Sequence, residues 1–245
     1  MFLALDESKG YGKNVLGLIA IPRTDLPQLE ADFCSVRLNT KLMGEIAWER
    51  ISDMYVDRYF GFIDLFLKHP ETTFHSIAYS SELGKYRAAY SLIRTTSWKL
   101  WNANIRADRS LFILFDQDDE AYPKPEIVVE DGVMLEVVQE FKDEYDAIKR
   151  LAKNDGHFRH PICYCNQGVS HQMGVLQLTD LLTGAMNAVI NKKDNLTKAK
   201  KRFIEHIETA IGHPLDASRA EVKLPQLKDY KTHFFDPNDA PAPRS

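Results

Sequence analysis

Residues 111–116 read LFILFD. Five apolar residues in succession, with no polar alternation, mark a strand covered on both faces, the pattern of a parallel or mixed sheet set between helices. The run stops on a carboxylate, Asp116. The N-terminus repeats the arrangement: Phe2-Leu3-Ala4-Leu5 runs into Asp6-Glu7-Ser8. A polar strand end is ordinarily a turn. It is also a rigid place from which to hold a carboxylate against a metal ion or a substrate.

Around these two strands the pattern alternates between sheet and helix. Val15–Ile21 (VLGLIAI) follows the first strand after KGYGKN, whose glycines and asparagine predict a β-hairpin, and Pro22 ends it. A helix is expected from Pro27 to Lys41, with a break at Met43-Gly44-Glu45. Helical spacing of Ile46, Ile51, Met54, Tyr55, Tyr59, Phe62, Ile63 and Phe66 predicts a second helix over 46–67. TFHSIAY (73–79) reads as a strand and Lys85–Trp101 as a helix. A helix is expected over Val133–Ala152, a short strand over Ile162–Cys165, an apolar helix over Val175–Ile190 and a basic amphipathic helix over Leu196–Ile211. The reading is one α/β domain over residues 1–235, a mixed β-sheet flanked by helices with helical insertions. A flexible Pro-rich tail is expected over 236–245.

The chain has 245 residues, 44% of them hydrophobic, and a net charge of −4. That charge excludes a chain that is basic throughout, though not a local basic patch beside an acidic centre. No apolar stretch reaches transmembrane length, and the N-terminus lacks the pattern of a signal peptide. Three cysteines make no disulfide framework, which points to a reducing, cytoplasmic setting.

Three acids stand out. Asp6 and Asp116 end buried-type strands, and Asp180 interrupts the apolar helix among Leu178, Leu181 and Leu182. A buried, unpaired carboxylate is costly unless a cation or hydrogen bonds satisfy it. Strand ends beside a helix are where three carboxylates can converge, and Mg²⁺ or Mn²⁺ prefers such oxygen ligands. Two ions roughly 4 Å apart on shared carboxylates suit in-line attack of water on a phosphodiester. Each acid also has a plainer reading: Asp6 a strand-end turn, Asp116 the start of an acidic loop (DQDDE), Asp180 a partner of a neighbouring Lys or Arg.

The stretches LDES, GEIAW, LFILFD and LQLTDLLTGA, spread over about residues 1–190, resemble the family called domain of unknown function 3800, which is grouped with the ribonuclease H-like fold. The resemblance implies a metal-dependent nuclease whose catalytic acids are Asp6, Glu45, Asp116 and Asp180. Asp6, Asp116 and Asp180 would bind Mg²⁺ or Mn²⁺ at a two-metal site, with Glu7, Ser8 and Gln177 beside them. It also implies a nucleic-acid partner, DNA or RNA, and a role in defence against phage or mobile DNA. A protein partner or a homo-oligomer would fit such a role. Two positions depart from the family pattern: Ala47 stands where Lys is frequent and Thr179 where Ala is common. In ribonuclease H-like enzymes the second acid usually lies on the helix after the third strand. Residues 85–104 contain no Asp or Glu, so Glu45 would reach the site from an earlier segment.

Candidate nucleic-acid contacts are Lys9, Arg87, Arg94, Lys192 and Lys193. Arg87 and Arg94 lie in a helix that mixes cations with aromatics, and Lys192 and Lys193 open the basic run NKKDNLTKAKKRF. The same run also reads as a solvated helix face. HFRHPICYC offers His157, His160, Cys163 and Cys165, with His171 nearby, but its spacing matches no common zinc motif. A strand through Cys163 and Cys165 would set both on one face as core residues. The rival to an enzyme is a non-catalytic nucleic-acid-binding or scaffold subunit of a larger complex, which would have no need of unpaired acids on buried elements.

Overall fold

In the computed structural model the described residues are 1–10, 12–79, 85–102, 110–116, 126–130, 133–137, 148, 162–168, 172–192, 194–212, 214–215 and 231–234. Strands β1 (Phe2–Ser8) and β2 (Asn14–Ile21) form the expected hairpin, and β3 (Thr73–Tyr79) continues it antiparallel. On the other side of β1 lies β4 (Leu111–Asp116), parallel to it, and then β7 (Ile162–Gly168), parallel to β4. A short strand β8 (Lys231–Phe234) adds parallel to β3, so the mixed sheet runs β7-β4-β1-β2-β3-β8. Strands β5 (Glu126–Glu130) and β6 (Val133–Val137) form a second, two-stranded antiparallel sheet among the described residues.

Helices cover both faces. On one face, α3 (Lys85–Asn102) sets Ala88, Ala89, Leu92 and Ile93 against Leu3, Leu5, Leu16 and Leu18. On the other, α4 (Gly174–Ile190) lies on the sheet, and α1 (Leu26–Thr40), α2 (Val56–Lys68) and α5 (Lys198–Ile211) pack outside it. A helix apolar on all sides is one buried on all sides. Helix α4 is that case, held between the sheet and the outer helices. Its threonines satisfy their hydroxyls internally, Thr179 on the Val175 carbonyl (2.8 Å) and Thr183 on the Thr179 carbonyl (2.7 Å). Its N-terminus is capped from α1: Glu30 accepts from the Gly174 and Val175 amides at 2.7 and 2.9 Å.

Three expectations change. The helix expected over 46–67 begins only at Val56, and residues before it hold a single 3₁₀ turn, Trp48–Arg50. The amides of Ile46 and Trp48 bond to side chains of α4 instead of to a helical carbonyl four residues back. The helix expected from Val133 begins as strand β6, which pairs with β5. Cys165 is buried, but Cys163 is exposed: the β4–β7 ladder shifts register there, Leu111 opposite Ile162 and Phe112 opposite Tyr164, so Cys163 sits in a bulge and the expected same-face alternation with Cys165 is broken. His157, His160 and His171, and the tail over 236–245, lie outside the described residues. Among the described residues no helix is long and apolar enough to cross a membrane.

Candidate functional site

Strand β1 does not end at Asp6 but runs on to Ser8 beside β2; its pairing with β4 stops just before Asp6, and there Asp6 and Asp116 are neighbours by register. Strands β1 and β4 pair in parallel as far as Leu5 opposite Phe115, and Asp6 and Asp116 are the next residue on each. Strand alternation places Asp6 on the same face as Ala4, and Asp116 on the same face as Leu114. Ala4 and Leu114 belong to the core under α4, so both acids look toward that helix. In open α/β sheets the crevice beyond the carboxyl ends of parallel strands is where ligands bind.

Helix α4 brings the third acid. It approaches closely because Gly17, opposite Asp6 in the β1–β2 ladder, has no side chain: a Cβ there would stand 1.9 Å from Thr183 Oγ1. Asp180 sits one turn before Thr183. Its Oδ2 accepts from the Trp48 amide at 2.7 Å. Burial, then the charges of Asp180 and Asp116, push the Asp6 carboxyl well above the usual carboxylate range. Lys85 and a backbone hydrogen bond at Glu7 act the other way. The Oδ2 of Asp6 is buried without a hydrogen-bond partner. Asp180 is pushed up to about 6, by burial first and against the Trp48 amide, with Glu45 and Glu49 raising it and Lys200 lowering it. Among the described residues no Lys, Arg or His forms an ion pair with Asp6 or Asp180.

Glu45 lies beside Asp180 rather than among the strand ends. It precedes Ile46, whose amide donates to Gln177 Oε1 at 2.7 Å, and its own Oε2 meets Arg50 at 3.1 Å. Gln177 is therefore turned to the 46–48 segment, buried at 1% exposure. The buried Tyr59 also stands near: burial raises its hydroxyl pKa, Arg50 lowers it, and Asp180 and Glu45 raise it further. Sequence reasoning missed Tyr59, Trp48 and Lys200. Trp48 lies within the GEIAW stretch, and Lys200 within the basic run, so each had a signal that was read otherwise.

The remaining candidates separate. Glu7 points to the α3 face, where Tyr79 donates to it and Lys85 pairs with it at 3.7 Å. Ser8 Oγ accepts from Asn187 at 2.5 Å, tying the hairpin to the far end of α4. Lys9 and Lys192 lie at that same end: the Lys9 carbonyl accepts from Asn187, and Asn191, next to Lys192, bonds the Lys13 backbone. Arg94 is exposed on α3, behind the sheet. Lys193 and the side chain of Arg87 lie outside the described residues. Further along the basic run, Lys200 and Arg202 are engaged with Glu49 and Asp57, both at 2.6 Å.

As placed, no three His, Cys, Asp or Glu side chains among the described residues are gathered closely enough to hold one ion. The donor chemistry still fits a hard divalent cation: oxygen ligands only, mutual repulsion at Asp6, and one buried carboxylate oxygen without a partner. No protein-family model matches this chain, and no curated protein matches it significantly.

Proposed function

We propose that this chain is a metal-dependent nuclease of ribonuclease H-like architecture, hydrolysing phosphodiester bonds of DNA or RNA. The observation that carries the reading is that Asp6 and Asp116 lie side by side just past the β1–β4 parallel ladder, on the face that α4 covers, where the charges of Asp116 and of Asp180 on α4 act on Asp6. Helices on both faces of a mixed sheet support the fold assignment. Like charges held together in a buried place are destabilising on their own, and a cation between them relieves that. A scaffold has no use for such an arrangement.

Asp6, Asp116 and Asp180 would hold Mg²⁺ or Mn²⁺, with Glu45 at the margin. When bound, such ions lower the pKa of water and stabilise charge on the phosphoryl oxygens. The chain's own contribution is positioning. The sheet fixes Asp6 and Asp116, the Trp48 amide fixes one oxygen of Asp180, and Arg50 restrains Glu45. Lys9 and Lys192, at the hairpin end of α4, supply positive charge for a phosphate backbone.

The test is cleavage of single- and double-stranded DNA and RNA with Mg²⁺ or Mn²⁺, by the wild type and by Asp6→Asn and Asp116→Asn. Metal-dependent cleavage lost in both variants is the expected result and names the polymer. Cleavage that survives both substitutions overturns the assignment. Wild-type protein that neither cleaves nor binds Mn²⁺ by calorimetry would favour the scaffold reading.

A further inference from the structure

We infer that Gln177 is a positioning residue: by holding the Ile46 amide it sets Glu45 at the margin of the Asp6–Asp116–Asp180 cluster, where Glu45 takes part in cation binding. The inference rests on the metal-dependent reading above.

The segment before α2 is held by helix side chains in place of a neighbouring strand. Ala47 is extended, with φ −137° and ψ 151°. In extended chain, amides two residues apart point the same way, about 6.6 Å from each other. On α4, Gln177 and Asp180 are three residues apart and share a face. Gln177 Oε1 takes the Ile46 amide and Asp180 Oδ2 takes the Trp48 amide, each at 2.7 Å. Two side chains one helical turn apart thus reproduce a short stretch of sheet ladder.

A buried glutamine among Leu178, Leu181 and Leu182 costs desolvation that an apolar residue of similar size would avoid. What it provides in return is the acceptor for Ile46. Fixing Ile46 fixes the backbone of Glu45, about 3.8 Å away. The rest of the segment is secured independently. Trp48 lies over Gly184, where a Cβ would stand 2.2 Å from its ring, and Lys200 Nζ sits 4.9 Å above that ring while pairing with Glu49 at 2.6 Å. Those contacts act at Trp48 and Glu49. Of the two α4 side chains that bond this segment, Gln177 is the one that holds the residue next to Glu45.

The experiment is Mn²⁺ affinity by calorimetry on the full chain, for wild type, Glu45→Gln, Gln177→Met and the double variant, with melting temperature recorded for each. Both single variants are expected to lose roughly 10- to 100-fold in affinity, the range for residues that orient ligands. The double variant should lose no more than the worse single, because Gln177→Met acts through Glu45. Losses that add, or a Gln177→Met protein that binds Mn²⁺ like wild type, would overturn the role of Gln177 and leave the metal reading standing. A wild type that binds no Mn²⁺ overturns both. Should Gln177→Met fail to fold, hydrogen exchange on the wild type decides. The Ile46 amide is expected to exchange as slowly as the amides of α4, and exchange at the rate of an open loop removes the proposed anchor.

Discussion

Gly17 faces Asp6 across the β1–β2 ladder, and the Thr183 hydroxyl of α4 occupies the space where a side chain on Gly17 would begin. The missing side chain lets α4 lie close enough to the sheet for the charge of Asp180 to act on Asp6. Gly17→Ala should push α4 outward. Its Cβ would meet Thr183 Oγ1 at 1.9 Å and the Phe74 ring at 2.9 Å. Overpacking of this kind costs about 1–3 kcal/mol. Urea denaturation should show the loss, and Thr183→Ala in the same chain should recover part of it. An unchanged stability for Gly17→Ala would mean α4 does not depend on this approach.

Asp180 makes stability depend on pH with a definite sign. Its pKa in the folded protein is pushed up to about 6, chiefly by burial, from the ordinary 3.8. Between those values the folded state binds more protons than the unfolded state, so stability falls as pH rises from about 4 to above 6. The penalty at neutral pH is on the order of 3 kcal/mol. Asp180→Asn removes it while an amide oxygen still accepts from Trp48. The variant should melt higher than wild type at pH 7.5 and about equally at pH 4. An Asn variant less stable at pH 7.5 would contradict the electrostatic account.

A cation should reverse that penalty. Mn²⁺ at 100 times its dissociation constant adds about 2.7 kcal/mol to stability by mass action. The melting temperature of wild type should rise with Mn²⁺ at pH 7.5 and rise less at pH 5, below the value of about 6 for Asp180, where that carboxyl is protonated and must release its proton to bind the ion. Asp6→Asn should abolish the rise at both. An equal rise in Asp6→Asn would place the ion elsewhere.

What was legible in the sequence was what short-range pattern encodes. LFILFD and FLALDES are strands buried on both faces, and Asp116 and Asp6 fall side by side because the strands are parallel neighbours, though β1 runs on past Asp6 to Ser8. The apolar surround of Asp180 announced α4. The segment from Ile46 to Tyr55 differs from the expected helix because its apolar spacing is helical while the amides of Ile46 and Trp48 are claimed by Gln177 and Asp180, more than a hundred residues later. Glu7 was grouped with Asp6 by adjacency, yet alternation along a strand sends it to the opposite face. Lys200 looked like part of a solvated face. Its partners, Glu49 and the ring of Trp48, come from a segment whose path only the fold determines.

The pairing of Trp48 with Gly184 offers the sharpest packing test beside the site. Trp48 is 3% exposed, lies against the edge of Phe203 at 6.1 Å, and leaves no room for a Cβ on Gly184. Trp48→Ala should cost about 3–5 kcal/mol, as large aromatic truncations in cores do. Gly184→Ala should also destabilise wild type, since its new methyl would stand 2.2 Å from the indole. In the Trp48→Ala background the same methyl enters space the indole has left, so Gly184→Ala should be nearly neutral or stabilising there. A double-mutant cycle by chemical denaturation should therefore return a coupling of about 0.5–3 kcal/mol. Additive losses would mean that Trp48 relaxes away from Gly184 and that the segment carrying Glu45 is not pinned against α4 at this point.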